Sequence, residues 1–372
     1  MKRSLAVSLH GLIVISILSL TPMLLASPPK IGMYGTVCDT EQQTAEMIAK
    51  YKAAGVRTIF PSLSGGDTVI WKTDKATYYP SLKAKFDGGY DALAVLIRHA
   101  HAAGIKVYPS VVCGIGGLML NEHPDWETRD RHGRPASKTA AAYFSFAIPQ
   151  ARAAKIALLM DLVNNYEIDG IFLDECNYPV NTATVESKYG FYGYDAPMVD
   201  ACKSLYGFDP AKVSINSGEW DLFNQMRIAT VTAFVRELRT AIKSSSRPVR
   251  MGIYADADFD MERRSCGRDY VNWARSGLVD DVFLSTYIEK IGEMELTVAR
   301  VRTAIGPAVP LYSALCPFNE FLKTNDEMIA AAKAQLAGGA DGLWVYRDDY
   351  VDKLKLWDGV KAANKLIAGQ SR

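Results

Sequence analysis

From residue 31 to the C-terminus one pattern of hydrophobic and polar positions recurs. A short apolar run rich in Val, Ile, Leu and Tyr ends in polar or aromatic residues. A longer loop follows, then a segment of helical periodicity, then a tight turn into the next run. Eight such runs predict strands over 31–37, 57–62, 106–112, 169–174, 249–255, 281–287, 309–314 and 341–347. Between them, Ile156, Leu159, Met160 and Val163 fall at helical spacing, as do Val231, Phe234, Val235, Leu238 and Ile242. Each such helix has one apolar stripe to lay on a sheet. The turns from helix to strand are short and carry Gly where a helix needs its C-cap, as in AAGVRTIF (53–60), AAGIKVYP (102–109) and AGGADGLWVY (337–346). The loops leaving the strands are much longer, notably 63–90, 113–149 and 175–220. Strict alternation of strand and helix predicts an α/β fold with parallel strands. Short loops at one end and long loops at the other predict a (β/α)₈ TIM barrel, whose chemistry lies at the C-terminal ends of its strands. A doubly wound open sheet is the alternative, but no Gly-rich phosphate fingerprint follows the first strand.

Alternation along a strand then says which side chains enter the barrel. In DGIFLD (169–174), Ile171 and Leu173 share the face that the surrounding helices cover, so Phe172 and Asp174 point inward. In MGIYAD (251–256) the same reading sends Tyr254 and Asp256 inward. In DGLWVYRDD (341–349) it sends Trp344, Tyr346 and Asp348 inward. Three strands thus deliver a carboxylate to one rim, with Glu175 and Asp349 one residue beyond. The inner and rim positions Tyr34 and Tyr287 join the aromatic set. Paired carboxyl groups are what glycosidic cleavage needs: one protonates the leaving oxygen while the other attacks the anomeric carbon or activates water. Asp174, Glu175 and Asp256 are the candidates for this work, with Asp174 as nucleophile or base and Glu175 or Asp256 as acid. Asp348 is a candidate to orient substrate or tune the pair. The plainer reading of any one such Asp is a helix cap or a partner for a nearby Arg, as Arg347 is for Asp348.

Aromatic residues crowd the predicted rim. Tyr143, Phe144 and Phe146 precede the fourth helix, and Tyr178, Tyr189, Phe191, Tyr192 and Tyr194 fill the loop after the fourth strand. Such rings stack on sugars, but they also pin long loops to a core. Tyr178 is selected for substrate binding because it lies nearest to Asp174, together with Tyr254, Tyr346, Trp344, Tyr287 and Tyr34. Trp273 sits on a helical pattern and reads as core, and His123 reads as a loop anchor.

Composition narrows the partners. The 42 basic residues nearly cancel the 41 acidic ones, and no basic run follows the first few residues, which argues against nucleic acid. Lys2 and Arg3, an apolar stretch from Leu12 to Leu25, then Ala26 and Ser27 have the order of a secretory signal peptide. Residues 1–27 are therefore read as a leader, 28–372 as one domain, and the mature chain as exported, periplasmic or extracellular, without a membrane span. Export permits disulfides among Cys38, Cys113, Cys176, Cys202, Cys266 and Cys316, but the spacing selects no pairing. That spacing, with only 5 His, matches no zinc site, so neither metal nor cofactor is expected. Nothing in the sequence sets the oligomeric state.

IDGIFLDECNYP (168–179) resembles the fourth-strand segment of the glycosyl hydrolase-like family ten, exported bacterial barrels that carry a DGI-x-x-D pattern followed by an aromatic residue and Pro. Further blocks resemble the family in order: GGYDALAVLIRHAHAAGIKVYPSV (88–111), HPDWETRDRHGRP (123–135), FVRELRTAIKSSSRPVRMGI (234–253) and YVNWARSGLVDDVFLSTY (270–287). The resemblance implies a TIM barrel that hydrolyses glycosidic bonds in cell-wall or other polysaccharide glycans, with Asp174 as the foremost catalytic residue. DGIFLDEC is also similar to the D-G-x-D-x-D-x-E strand of family eighteen chitinases. Here Phe172 replaces the middle acid and Cys176 stands at the catalytic Glu position, which argues against that chemistry. A catalytically silent barrel that binds glycans is the alternative function.

Overall fold

The computed structural model describes residues 31–63, 68–78, 80–180 and 191–370. The leader segment and Tyr189 lie outside the described residues. Eight parallel strands form the core: β1 (Ile31–Gly35), β2 (Thr58–Pro61), β3 (Lys106–Val107 and Ser110–Val112), β4 (Gly170–Asp174), β5 (Arg250–Asp256), β6 (Asp281–Ser285), β7 (Leu311–Leu315) and β8 (Gly342–Tyr346). The hydrogen-bonded order runs from Lys106–Val107 through β2, β1, β8, β7, β6, β5 and β4 to Ser110–Val112. The two ends of that order are the two halves of β3, so the sheet closes on itself. Pro109 has no N–H to give, and the ladder breaks there. Tyr108 N still donates to Ile59 O at 2.9 Å on one side, and Phe172 N to Pro109 O at 2.8 Å on the other. Each strand falls within one or two residues of its predicted span.

Alternation partitions the core into two layers. Met33, Ile59, Ile171, Leu173, Met251, Ile253, Leu343 and Val345 join one large cluster between sheet and helices. Phe60, Tyr108, Phe172, Phe283, Tyr312 and Trp344 fill the barrel itself, with Tyr34, Tyr254, Tyr287 and Tyr346 packed above them. Rings of this size fit because neighbouring strands place glycine opposite them. A Cβ on Gly32 would stand 2.2 Å from the Phe60 ring, and one on Gly252 would stand 2.2 Å from Phe283. A packed aromatic floor therefore closes the lower barrel and leaves only the upper mouth open.

The helices bury the predicted faces. In Gly218–Lys243, Val231, Phe234, Val235, Leu238 and Ile242 are all buried. In Pro149–Asn165, Leu159 and Val163 are buried while Ile156 and Met160 are half-buried at the edge. Glu41–Ala54 starts with a capping box from Thr40 and Gln43 and ends at Gly55 with φ 81°. The six cysteines are free thiols, five of them buried. Among the described residues no helix is long and apolar enough to cross a membrane, and no three His, Cys, Asp or Glu side chains converge as metal ligands.

Candidate active site

Above the aromatic floor, at the C-terminal ends of the strands, lies a cavity of about 490 Å³. Eight of the side chains singled out from sequence line it: Tyr34, Asp174, Glu175, Tyr254, Asp256, Tyr287, Trp344 and Tyr346. Each of its strands carries its residues in by the pleat, with Glu175 the exception.

Asp174 ends β4 and is half-buried. Register pairs Leu173 with Ile253, so Asp174 stands level with Tyr254, and Asp256 is two residues further up β5. That offset puts their Cα atoms about 4.8 Å apart across the sheet and about 6.6 Å along it. Burial is the main force on the Asp174 carboxyl, and the Glu175 and Asp256 carboxylates add to it. Arg268 and the Glu175 N–H oppose them, and the net result pushes the group up to about 6.

Simple alternation would send Glu175 to the outer face. Instead its backbone is left-handed, with φ 47°, a region that costs a residue with a side chain on the order of 1 kcal/mol or more. This turn directs the carboxylate back over the mouth. There Tyr143 donates a hydrogen bond to Glu175 Oε2 at 2.6 Å, and Asn177 Nδ2 approaches the same oxygen at 3.5 Å. Glu175 N also donates to Asp174 Oδ1 at 2.9 Å, tying the two acids into one turn.

Asp256 is exposed on the neighbouring strand, higher on the same rim, with its carboxylate 3.8 Å from Arg268 Nη2. Arg268 is buried and forms a two-point pair with buried Glu262, through Nε at 2.8 Å and a shorter bond from Nη2. Burial raises the Glu262 carboxyl and Arg268 pulls it back. The guanidinium also lies 5.1 Å from the centre of the Tyr254 ring. The far wall is aromatic: Tyr287 stacks on Tyr346 at 5.0 Å, and Tyr34 meets Tyr346 at 5.0 Å.

Two selected residues are placed elsewhere. Tyr178 is fully buried behind the site, its hydroxyl 2.9 Å from Thr230 Oγ1 and its ring under Arg227 at 5.2 Å. It pins the loop after β4 and does not line the cavity. Asp348 also misses the lining, because β8 ends at Tyr346 and Asp348 begins the helix Asp348–Leu354. Its Oδ2 accepts a 2.6 Å hydrogen bond from Tyr51, and Arg347 pairs with Asp349 rather than with Asp348. Phe144, Phe146, Tyr192 and Trp273 are core, and His123 stacks on Trp126 at 3.8 Å. Conversely, Tyr143, Asn177 and Arg268 line the cavity without having been selected. Tyr143 stood among the loop aromatics, but nothing in the local sequence of Arg268 marks it. A larger groove of about 1000 Å³ lies on the outer wall between the helices Ala92–Ala102 and Pro149–Asn165, away from the strand ends.

Residues 21–309 match the profile of the family described as Glycosyl hydrolase-like 10. The chain belongs to this family. The glycosyl hydrolase YngK of Bacillus subtilis (strain 168) is 22% identical over 293 residues, 73% of this chain and 51% of that protein. An S-layer-related protein of Niallia circulans is 22% identical over 256 residues, 59% of this chain and 16% of that protein. The chain thus spans about half the length of the first of these curated relatives and far less of the second. Solved structures share the fold. Alpha-L-fucosidase isoenzyme 2 from Paenibacillus thiaminolyticus aligns over 92% of this chain and 50% of its own, with a TM-score of 0.62 at 15% identity. The catalytic domain of beta-amylase from Paenibacillus polymyxa aligns over 92% and 98%, with a TM-score of 0.62 at 13% identity. At such identities the likeness concerns the fold alone, which for this family member is that of a glycoside hydrolase-like barrel.

Proposed function

We propose that this family member is a glycoside hydrolase that cleaves glycosidic bonds in a polysaccharide or cell-wall glycan. The observation that carries the reading is the pair Asp174–Glu175, joined in one turn at the mouth of an aromatic-walled cavity. Asp174, pushed up to about 6, is the carboxyl that still holds a proton close to neutral pH, and it serves as the acid for the leaving oxygen. This reverses the role that the sequence suggested for it. Glu175, oriented by Tyr143, supplies the second carboxylate, which attacks the anomeric carbon or activates water. Asp256 on the neighbouring strand holds the substrate, and the rings of Tyr287, Tyr346 and Trp344 carry its sugar faces.

The S-layer-related relative and the leader-like order of residues 1–27 support an exported protein, with residues 28–372 acting as one domain. Incubation with a panel of cell-wall and plant glycans tests the reading. Wild type releases reducing ends and Asp174→Asn does not. If neither releases them and both retain affinity for a glycan, the protein is a binding barrel and not a hydrolase.

A further inference from the structure

Charge in the cavity is lopsided. Among the described residues, three carboxyl groups face it: Asp174, Glu175 and Asp256. The cation that lines it, Arg268, is closed onto Glu262 by two hydrogen bonds and comes no nearer to Asp256 than 3.8 Å. Arg347, beside Tyr346, lies outside the lining and is paired with Asp349. Asn177, 1% exposed, spends its Nδ2 on Tyr178 O at 2.7 Å and so offers a guest no free donor. The aromatic walls present π faces, which attract cations and repel anions.

A guest therefore meets negative charge, and finds the neighbouring guanidinium already committed. We propose that the ring seated here is a neutral or amino-bearing sugar, a hexosamine with a free ammonium binding best, and that uronic acids are excluded. The proposal rests on the glycan-binding reading above and adds the charge class of the sugar.

The test is calorimetric titration of the intact protein with four β-1,4-linked tetrasaccharides that share one backbone: glucosamine, N-acetylglucosamine, glucose and glucuronate. The expected order places glucosamine first and glucuronate last, with at least about a tenfold gap between the glucose and glucuronate tetramers. The glucosamine advantage shrinks on going from about 0.05 to 0.5 M salt, as charge attraction requires. Asp256→Asn narrows the gap between the glucose and glucuronate tetramers by several-fold, which a purely steric exclusion would not do. Glucuronate binding as well as glucose in wild type overturns the charge proposal and leaves the hydrolase reading standing. Failure of all four to bind at millimolar concentration overturns both.

Discussion

The ends of β4 and β8 make an instructive pair. Each strand brings an aromatic ring into the barrel and has two adjacent acids at or just past its end, Asp174–Glu175 and Asp348–Asp349. At β4 the ladder continues through Asp174, whose own carbonyl still accepts from Cys113 N at 2.8 Å, and the left-handed Glu175 then folds its carboxylate back over the mouth. At β8 the ladder stops at Tyr346, and the acids become the first turn of a helix. There Asp348 is tied to Tyr51 and Asp349 to Arg347, roles that favour the helix N-terminus. The same local composition yields two acids gathered over the cavity at one corner and two acids in the first turn of a helix at the other. What differs is where the strand hands over to the next element.

This contrast can be broken by substitution. The largest effect is expected at β4: Asp174→Asn or Glu175→Gln lowers kcat/KM by about 10²–10⁴-fold on a hydrolysed glycan, whereas Asp348→Asn and Asp349→Asn stay within about threefold. Comparable losses at β8 would erase the distinction. Next in size, Tyr287→Leu keeps the apolar bulk but removes a stacking face, and raises KM by roughly three- to tenfold with kcat little changed. Steady-state kinetics on the same glycan reads both numbers. Tyr178→Phe removes a hydroxyl from its half-buried partner Thr230, costing about 1 kcal/mol in denaturant unfolding with KM unaltered, since this ring pins a loop. A rise in KM there would return Tyr178 to the substrate.

The smallest effect concerns pH. The folded-state pKa of Asp174 lies above its ordinary value of 3.8, at about 6. The stability that its protonated form contributes is present in full below the ordinary value and is lost as pH rises through about 6. Asp174→Asn, which cannot ionise, therefore melts higher than wild type at pH 7.5, by about 2 °C for roughly 1 kcal/mol in a chain of this size. The gap closes below pH 4. A thermal melt at the two pH values checks the sign, and a variant that melts lower at pH 7.5 would contradict it.

Most of the barrel was legible in the sequence, because a closed parallel sheet imposes one rule on every strand. Ile171 and Leu173 turn to the helices, and Phe172 and Asp174 to the lumen, for the same steric reason that governs Ile253 and Tyr254. That rule placed the aromatic wall and two of the acids. It stopped being informative where strands end. Glu175 reaches the cavity through a backbone conformation that alternation does not encode, and Asp348 leaves it because a helix begins early. Tyr178 misled because nearness along the chain is not nearness in space: its ring lies beneath the loop, over Arg227. Arg268 was invisible, since its place beside Asp256 depends on the partner Glu262 and on how the helix Phe259–Ser265 packs against the end of β5.

Asp174 and Glu175 share one partly desolvated turn, and the direct test of that arrangement needs no substrate. Carbon-13 NMR of protein labelled at the aspartate carboxyls, with Asp174 assigned by its absence in Asp174→Asn, follows that single group through pH. Titration is expected near pH 6 in wild type, with a clear downward shift in Glu175→Gln, where the neighbouring charge is gone. An Asp174 that titrates near 4 and ignores the loss of Glu175 would contradict that arrangement.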